Sequence, residues 1–123
     1  MKRDMELCRL ILFKIEEEYK STAIFNIGIS GYDSEEIAYH CNLLFDFGLI
    51  SSYKPTYADN RLYAFSVGSL SWEGHDFLDK IREDTVWNNT KKKIKENMLP
   101  MTLDVIKSIS TSVISSMLKD AMS

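Results

Sequence analysis

DSEEIAYHCNLLFDFGLISSYKPTYADNRLYAFSV, residues 33–67, is the stretch that decides the fold. Asp33 or Ser34 can accept hydrogen bonds from the unpaired N–H groups of a first helical turn. Glu35 and Glu36 suit the positive end of a helix dipole. Ile37, Cys41, Leu44 and Phe45 recur at helical spacing. Gly48 ends the helix at about Phe47, since glycine adopts the left-handed cap conformation without steric cost. Residues 49–53 then read as a strand and residues 62–67 as another. Between them, residues 54–61 form a turn-rich hairpin loop, in which Pro55, lacking an N–H, marks the end of regular pairing.

Outward from this stretch, residues 3–20 predict a helix with Met5, Cys8, Leu12, Ile15 and Tyr19 on one stripe. Residues 25–29 alternate as a short strand, and residues 30–33 are a turn. Downstream, Ser71 caps a helix to about Arg82, with Phe77, Leu78 and Ile81 as core positions. A further helix begins near Asp84, with Trp87, Ile94 and Met98 on one face. Leu99-Pro100 breaks it, and Pro100 is placed to open the last helix. That order predicts an α+β fold: an abbreviated winged helix with a small β-hairpin wing and additional C-terminal helices. Residues 1–82 would be the winged-helix core. Residues 83–123 would be a helical extension packing on the core or on a partner subunit, within a single domain overall.

The chain has 123 residues, 45% apolar and 27% charged, the balance of a folded globular protein. Its net charge of −3 weighs against a general nucleic-acid coating. The acidity is uneven: residues 1–82 carry 9 basic and 13 acidic side chains, and residues 83–123 carry 6 and 5. Two cysteines, Cys8 and Cys41, lie in apolar helical stretches and read as buried thiols in a reducing compartment. Charges throughout the N-terminal segment exclude a signal-peptide core, and Asp104 and Lys107 interrupt the most apolar late segment. A cytoplasmic protein is expected.

Three segments carry a resemblance: Met1-Lys2-Arg3-Asp4-Met5-Glu6-Leu7, then Tyr39-His40 with Leu43-Leu44 and Gly48-Leu49-Ile50, then Trp72-Glu73-Gly74-His75-Asp76-Phe77-Leu78. Over roughly residues 1–97 the chain resembles a family of short bacterial and phage proteins, often prophage-encoded and catalogued as a domain of unknown function. The resemblance implies a winged-helix-like fold and a phage or prophage setting. It supplies no activity and no site.

No catalytic constellation is present. Consecutive glutamates on a helix point about 100° apart and do not converge. His40 and His75 have no companion at metal-ligand spacing, so each is expected to order a helix start or an inter-helix contact. A non-enzyme with no cofactor and no metal is expected. A winged helix suggests a helix in the major groove and a wing on the backbone. The nucleic-acid candidates are Tyr39, Asn42, Lys54 and Arg61, with Lys91, Lys92 and Lys95 as an outlying basic cluster. Yet the outward face of helix 34–47 is acidic. The function expected first is a small DNA-binding transcriptional regulator acting on double-stranded DNA; the alternative is a protein-binding accessory module that contacts a host or phage protein and does not bind DNA. A homodimer is expected through Leu103, Ile106, Ile109, Val113 and Met117, a stripe docking on the first helix or on its own copy.

Overall fold

Two aspartates start the first two helices. Asp4 accepts the Leu7 N–H at 3.1 Å ahead of α1 (Met5–Glu18). Asp33 accepts the Glu36 N–H at 2.8 Å ahead of α2 (Ser34–Phe47). Glu36 reaches back to the Asp33 N–H, completing a capping box. This computed structural model describes residues 1–123. The remaining elements are β1 (Ile24–Phe25), β2 (Tyr53–Ala58), β3 (Arg61–Val67), α3 (Trp72–Ile81), α4 (Asp84–Glu96) and α5 (Leu103–Met122). The protein is a mixed α+β fold with one antiparallel sheet in the order β1-β3-β2. The chain divides into two units, Met1–His75 and Asp76–Ser123, with the boundary inside α3.

In the first unit α1 and α2 pack together, and α2 lies against β2 and β3. Leu7, Ile11, Leu12 and Ile15 of α1 are fully buried, as are His40, Cys41 and Leu44 of α2. Phe45, expected on the core face of α2, is exposed instead. Gly48 has φ 90° and closes α2, its N–H bonding back to Leu44 and Phe45. Leu49 and Ile50 are buried but form no ladder; only an isolated bridge joins Ile50 to Leu70. Their backbone is used otherwise. The Leu49 N–H returns to Leu44, and the Ser71 N–H takes the Leu49 carbonyl at 3.0 Å.

The hairpin corrects the expected loop. Ladder pairs run from Tyr53↔Val67 to Ala58↔Arg61, leaving only Asp59 and Asn60 as the turn. Both have positive φ, 53° and 62°, the geometry of a two-residue primed turn. Pro55 does not end the pairing; it sits opposite Phe65. It is tolerated because β2 is an edge strand, with one side unpaired. β1 is shorter than expected. Asn26, at φ 49°, turns the chain away, and its side-chain oxygen replaces a ladder acceptor by taking the Phe65 N–H at 3.0 Å.

In the second unit α5 packs along α4. Val86, Trp87, Thr90 and Ile94 are buried on α4, and Leu103, Ile106, Ser110 and Val113 on α5. Met98, expected on the α4 stripe, lies past the helix end with φ 53° and is exposed. Pro100 does not open the last helix; Thr102 caps it, accepting the Val105 N–H at 3.2 Å. No helix is long and apolar enough to cross a membrane.

Candidate functional site: the cleft between α2 and the hairpin

One face of α2 presents Glu35, Ala38, Tyr39 and Asn42, at the i, i+3, i+4, i+7 spacing of a single helical stripe. Facing it, the hairpin contributes Tyr53, Tyr57, Asn60, Arg61 and Leu62, and Met1 closes the rim. Together they line an open cleft of about 350 Å³, entirely within the first unit.

The hairpin wall depends on a register shift. Tyr53 and Tyr57 lie four residues apart on β2, a separation that places them on the same side of a strand. Tyr57 pairs with Leu62, whereas Thr56 pairs with Ala64, so Tyr63 is the extra residue of a bulge in β3. The bulge brings Leu62 to the cleft and leaves Tyr63 pointing into solvent.

The one side-chain cation lining the cleft is already engaged. Arg61 Nη2 lies 3.3 Å from Glu35 Oε1, with both side chains more than half exposed. Burial pushes the Tyr53 phenol up to about 12, helped by the neighbouring Tyr57 and Cys41. Tyr53 therefore enters the cleft as a neutral hydrogen-bonding group, and its ring packs at a tilt on Phe65, 6.2 Å between centroids.

Of the residues singled out from sequence, Tyr39, Asn42 and Arg61 meet here. Lys54 does not. It lies on the opposite face of the sheet with Phe25, Thr56, Ala64 and Ser66. Lys91, Lys92 and Lys95 belong to α4 in the second unit. Lys91 covers the Trp87 ring at 5.3 Å, and Lys92 lies 3.9 Å from Glu96. Sequence reading missed Tyr53, Tyr57, Asn60 and Leu62. The spacing of the two tyrosines was a usable signal, but only once residues 54–58 were recognised as strand. His40 behaves as expected, ordering a helix start; His75 is exposed.

In the stripe proposed for self-association, Leu103, Ile106 and Val113 are buried within the chain itself, and Ile109 is half-buried. They are not available to a second copy. Only Met117, at 44% exposure, remains open, beside Leu118 at 58% and Met122 at 79%.

Fold and cleft together define a small α+β protein in which one helix and one hairpin enclose an aromatic groove of mixed charge. The chain belongs to the DUF2513 family of hypothetical proteins, whose model matches residues 2–100. It is 40% identical over 119 residues to a Haemophilus influenzae protein described as uncharacterized, covering 96% of this chain and 99% of that relative. No solved structure matches this chain. The family match spans every cleft residue except Met1 and ends before α5.

Proposed function

We propose that this protein is a cytoplasmic, non-enzymatic module of winged-helix layout whose α2–hairpin cleft contacts another protein, of host or phage origin. The acidic start of α2, with Asp33, Glu35 and Glu36, carries this reading. Arg61, the cation lining the cleft, faces one of these carboxylates, Glu35, at 3.3 Å. The hairpin tip adds Asp59. A helix entering a DNA groove leads with its N-terminal residues, and an acidic first turn opposes a polyanion. Aromatic side chains, by contrast, are enriched at protein interfaces. Tyr57 is 64% exposed at the cleft, and Phe45 is exposed further along α2. The layout is supported by the sheet order β1-β3-β2, with β1 between α1 and α2 and the hairpin directly after α2. The unpaired, buried Cys8 and Cys41 suit a reducing compartment.

A second reading, a DNA-binding regulator of prophage genes, draws on a separate observation. Met1 lines the cleft, so the basic Lys2-Arg3 arm starts beside Tyr39, Asn42 and Arg61. Fluorescence anisotropy with a 30-base-pair duplex, at low and then physiological salt, separates the two. Protein binding predicts no retention at either salt. Salt-sensitive retention abolished by Lys54→Glu with Arg61→Glu would establish the DNA reading instead. Self-association belongs to the same proposal, confined to the exposed end of α5.

A further inference from the structure

We infer that the neutral imidazole of His40 is a latch: it holds the N-terminal arm, residues 1–3, at the rim of the α2–hairpin cleft, and a proton taken up by the ring releases that arm. The latch regulates the surface used by the protein-binding reading, and its importance for binding rests on that reading.

The hydrogen bonds leave the ring one protonation state. A backbone N–H can only donate, so Nε2, 2.8 Å from the Asp4 nitrogen, must accept. A carbonyl can only accept, so Nδ1, 2.8 Å from the Glu36 oxygen, must donate. An imidazolium carries a proton on both nitrogens. Its Nε2–H would meet the Asp4 N–H donor against donor, and that bond gives way. The ring is fully buried, so water does not stand in for the lost partner.

What this bond holds is the entry of the chain. Asp4 is the first residue whose backbone makes a hydrogen bond. Met1, Lys2 and Arg3 ahead of it are exposed, yet Met1 lines the cleft. Three residues span at most about 11 Å, so the place where Asp4 is held sets where Met1 can reach. The same ring also touches the cleft wall. Tyr39, which lines the cleft, meets His40 edge to face with 5.6 Å between centroids. Asp4 keeps its cap on Leu7 and its bond from the Tyr32 hydroxyl, so release frees the arm and leaves α1 in place.

The charged and titratable groups about this site come from every element around it. The arm brings Arg3 and Asp4, α1 brings Glu6 and Cys8, the turn before α2 brings Tyr32, and α2 brings Glu36, Tyr39 and Cys41. Burial pushes both thiols up to about 12, and burial with the Asp4 charge raises the Tyr32 phenol, so these three keep their protons at neutral and acid pH. Histidine is the side chain whose charge ordinarily changes between pH 5 and 8. A charged ring can pair with the Asp4 carboxylate only by leaving the Asp4 N–H, so that route opens the latch as well.

The test is NMR of the full chain, labelled with nitrogen-15 and at the methionine methyls, titrated from pH 8 to pH 5. The Asp4 amide proton should move upfield in step with the His40 ring signals. With the same midpoint, the heteronuclear NOEs of Lys2 and Arg3 should fall and the Met1 methyl and Tyr39 amide should shift. Asp4→Asn keeps the N–H and a capping side chain but removes the carboxylate, and should keep the transition. His40→Gln keeps an acceptor for the Asp4 N–H but takes up no proton, and should hold the Asp4 amide still across the range. If that variant does not fold, the shared midpoint in the wild type and in Asp4→Asn decides. An Asp4 amide that does not move, a transition that survives His40→Gln or vanishes in Asp4→Asn, or a spectrum that collapses as a whole would each overturn the inference. These signals lie on the arm and the ring, so a failed latch leaves the protein-binding reading standing. Salt-sensitive duplex retention at neutral pH rejects that reading and leaves the latch.

Discussion

The N–H of Asp4 donates to Nε2 of His40 across 2.8 Å, joining residues 36 positions apart. The other ring nitrogen, Nδ1, donates to the Glu36 carbonyl at 2.8 Å. These two partners fix the neutral tautomer with its proton on Nδ1. Asp4 in turn caps α1 and accepts the Tyr32 hydroxyl at 3.3 Å. One fully buried imidazole thus ties the start of α1 to the middle of α2. Replacing His40 by Ala leaves a cavity and orphans the Asp4 N–H. A loss of about 2–4 kcal/mol in urea unfolding is expected. Asp4→Ala, which removes the cap but not the imidazole contact to the backbone, should cost about 1 kcal/mol. A silent His40→Ala would show that the tether carries no stability.

Gly74 lies in α3 where the helix backbone approaches Leu49. A Cβ at this position would fall on the Leu49 carbonyl, which is backbone and cannot step aside. In an open helix Gly→Ala gains about 1 kcal/mol. Here overpacking reverses the sign, and Gly74→Ala should lose about 1–3 kcal/mol. A higher thermal midpoint for the variant would contradict the close approach.

Cys8 and Cys41 are buried, and burial pushes both thiols up to about 12. Neither should react with a thiol reagent at pH 8 in the native protein, and both should react in denaturant. In the unfolded chain these thiols ionise near 9.0. The folded values are higher, so their contribution to stability is whole below pH 9 and is lost as pH rises toward 12. Tyr53, also raised to about 12, adds to the same alkaline loss. Urea midpoints should hold from pH 8 to about 9 and then fall steadily to pH 11.

Thr90 is fully buried on α4, and its hydroxyl has no hydrogen-bond partner. A buried, unpaired hydroxyl costs about 1–3 kcal/mol. Thr90→Val keeps the shape and removes the polar atom, so it should stabilise the protein by about 1 kcal/mol. A destabilised variant would mean that the hydroxyl is bonded in solution.

α5 has 20 residues against 13 in α4. At 1.5 Å per residue it outruns its neighbour by about 10 Å. Its last buried residue is Val113. If the protein self-associates through the exposed end, light scattering at tens of micromolar should report a dimer, and Leu118→Glu should return it to monomer. A wild-type monomer would remove this mode.

Much of this was readable locally. Asp33 or Ser34 at one end and Gly48 at the other bracketed α2, because caps and left-handed stops are short-range chemistry; the structure selects Asp33 and adds the Glu36 capping box. Ser71 acts within one turn in the same way, its hydroxyl accepting the Gly74 N–H, whereas the cap of α5 fell to Thr102 and not to Pro100. The apolar stripes of α1 and α3 were legible because helical periodicity repeats over several turns. Phe45 and Met98 misled because a stripe says which residues align, not how far the covering neighbour extends.

The sequence by itself determined the order of helices and strands, the ends of α2 and the cap of α3, the acidic character of α2 and two buried thiols. Tertiary structure alone decided the site. Pro55 reads locally as a terminator, yet edge position lets the ladder run through it. The Tyr63 bulge chooses which hairpin side chains face α2, and nothing in a two-residue alternation announces it. Arg61 and Glu35 are 26 positions apart, and only the packing of the hairpin against α2 makes them a pair. Local propensity acts over a few residues, whereas a cleft is set by which surfaces have been buried around it.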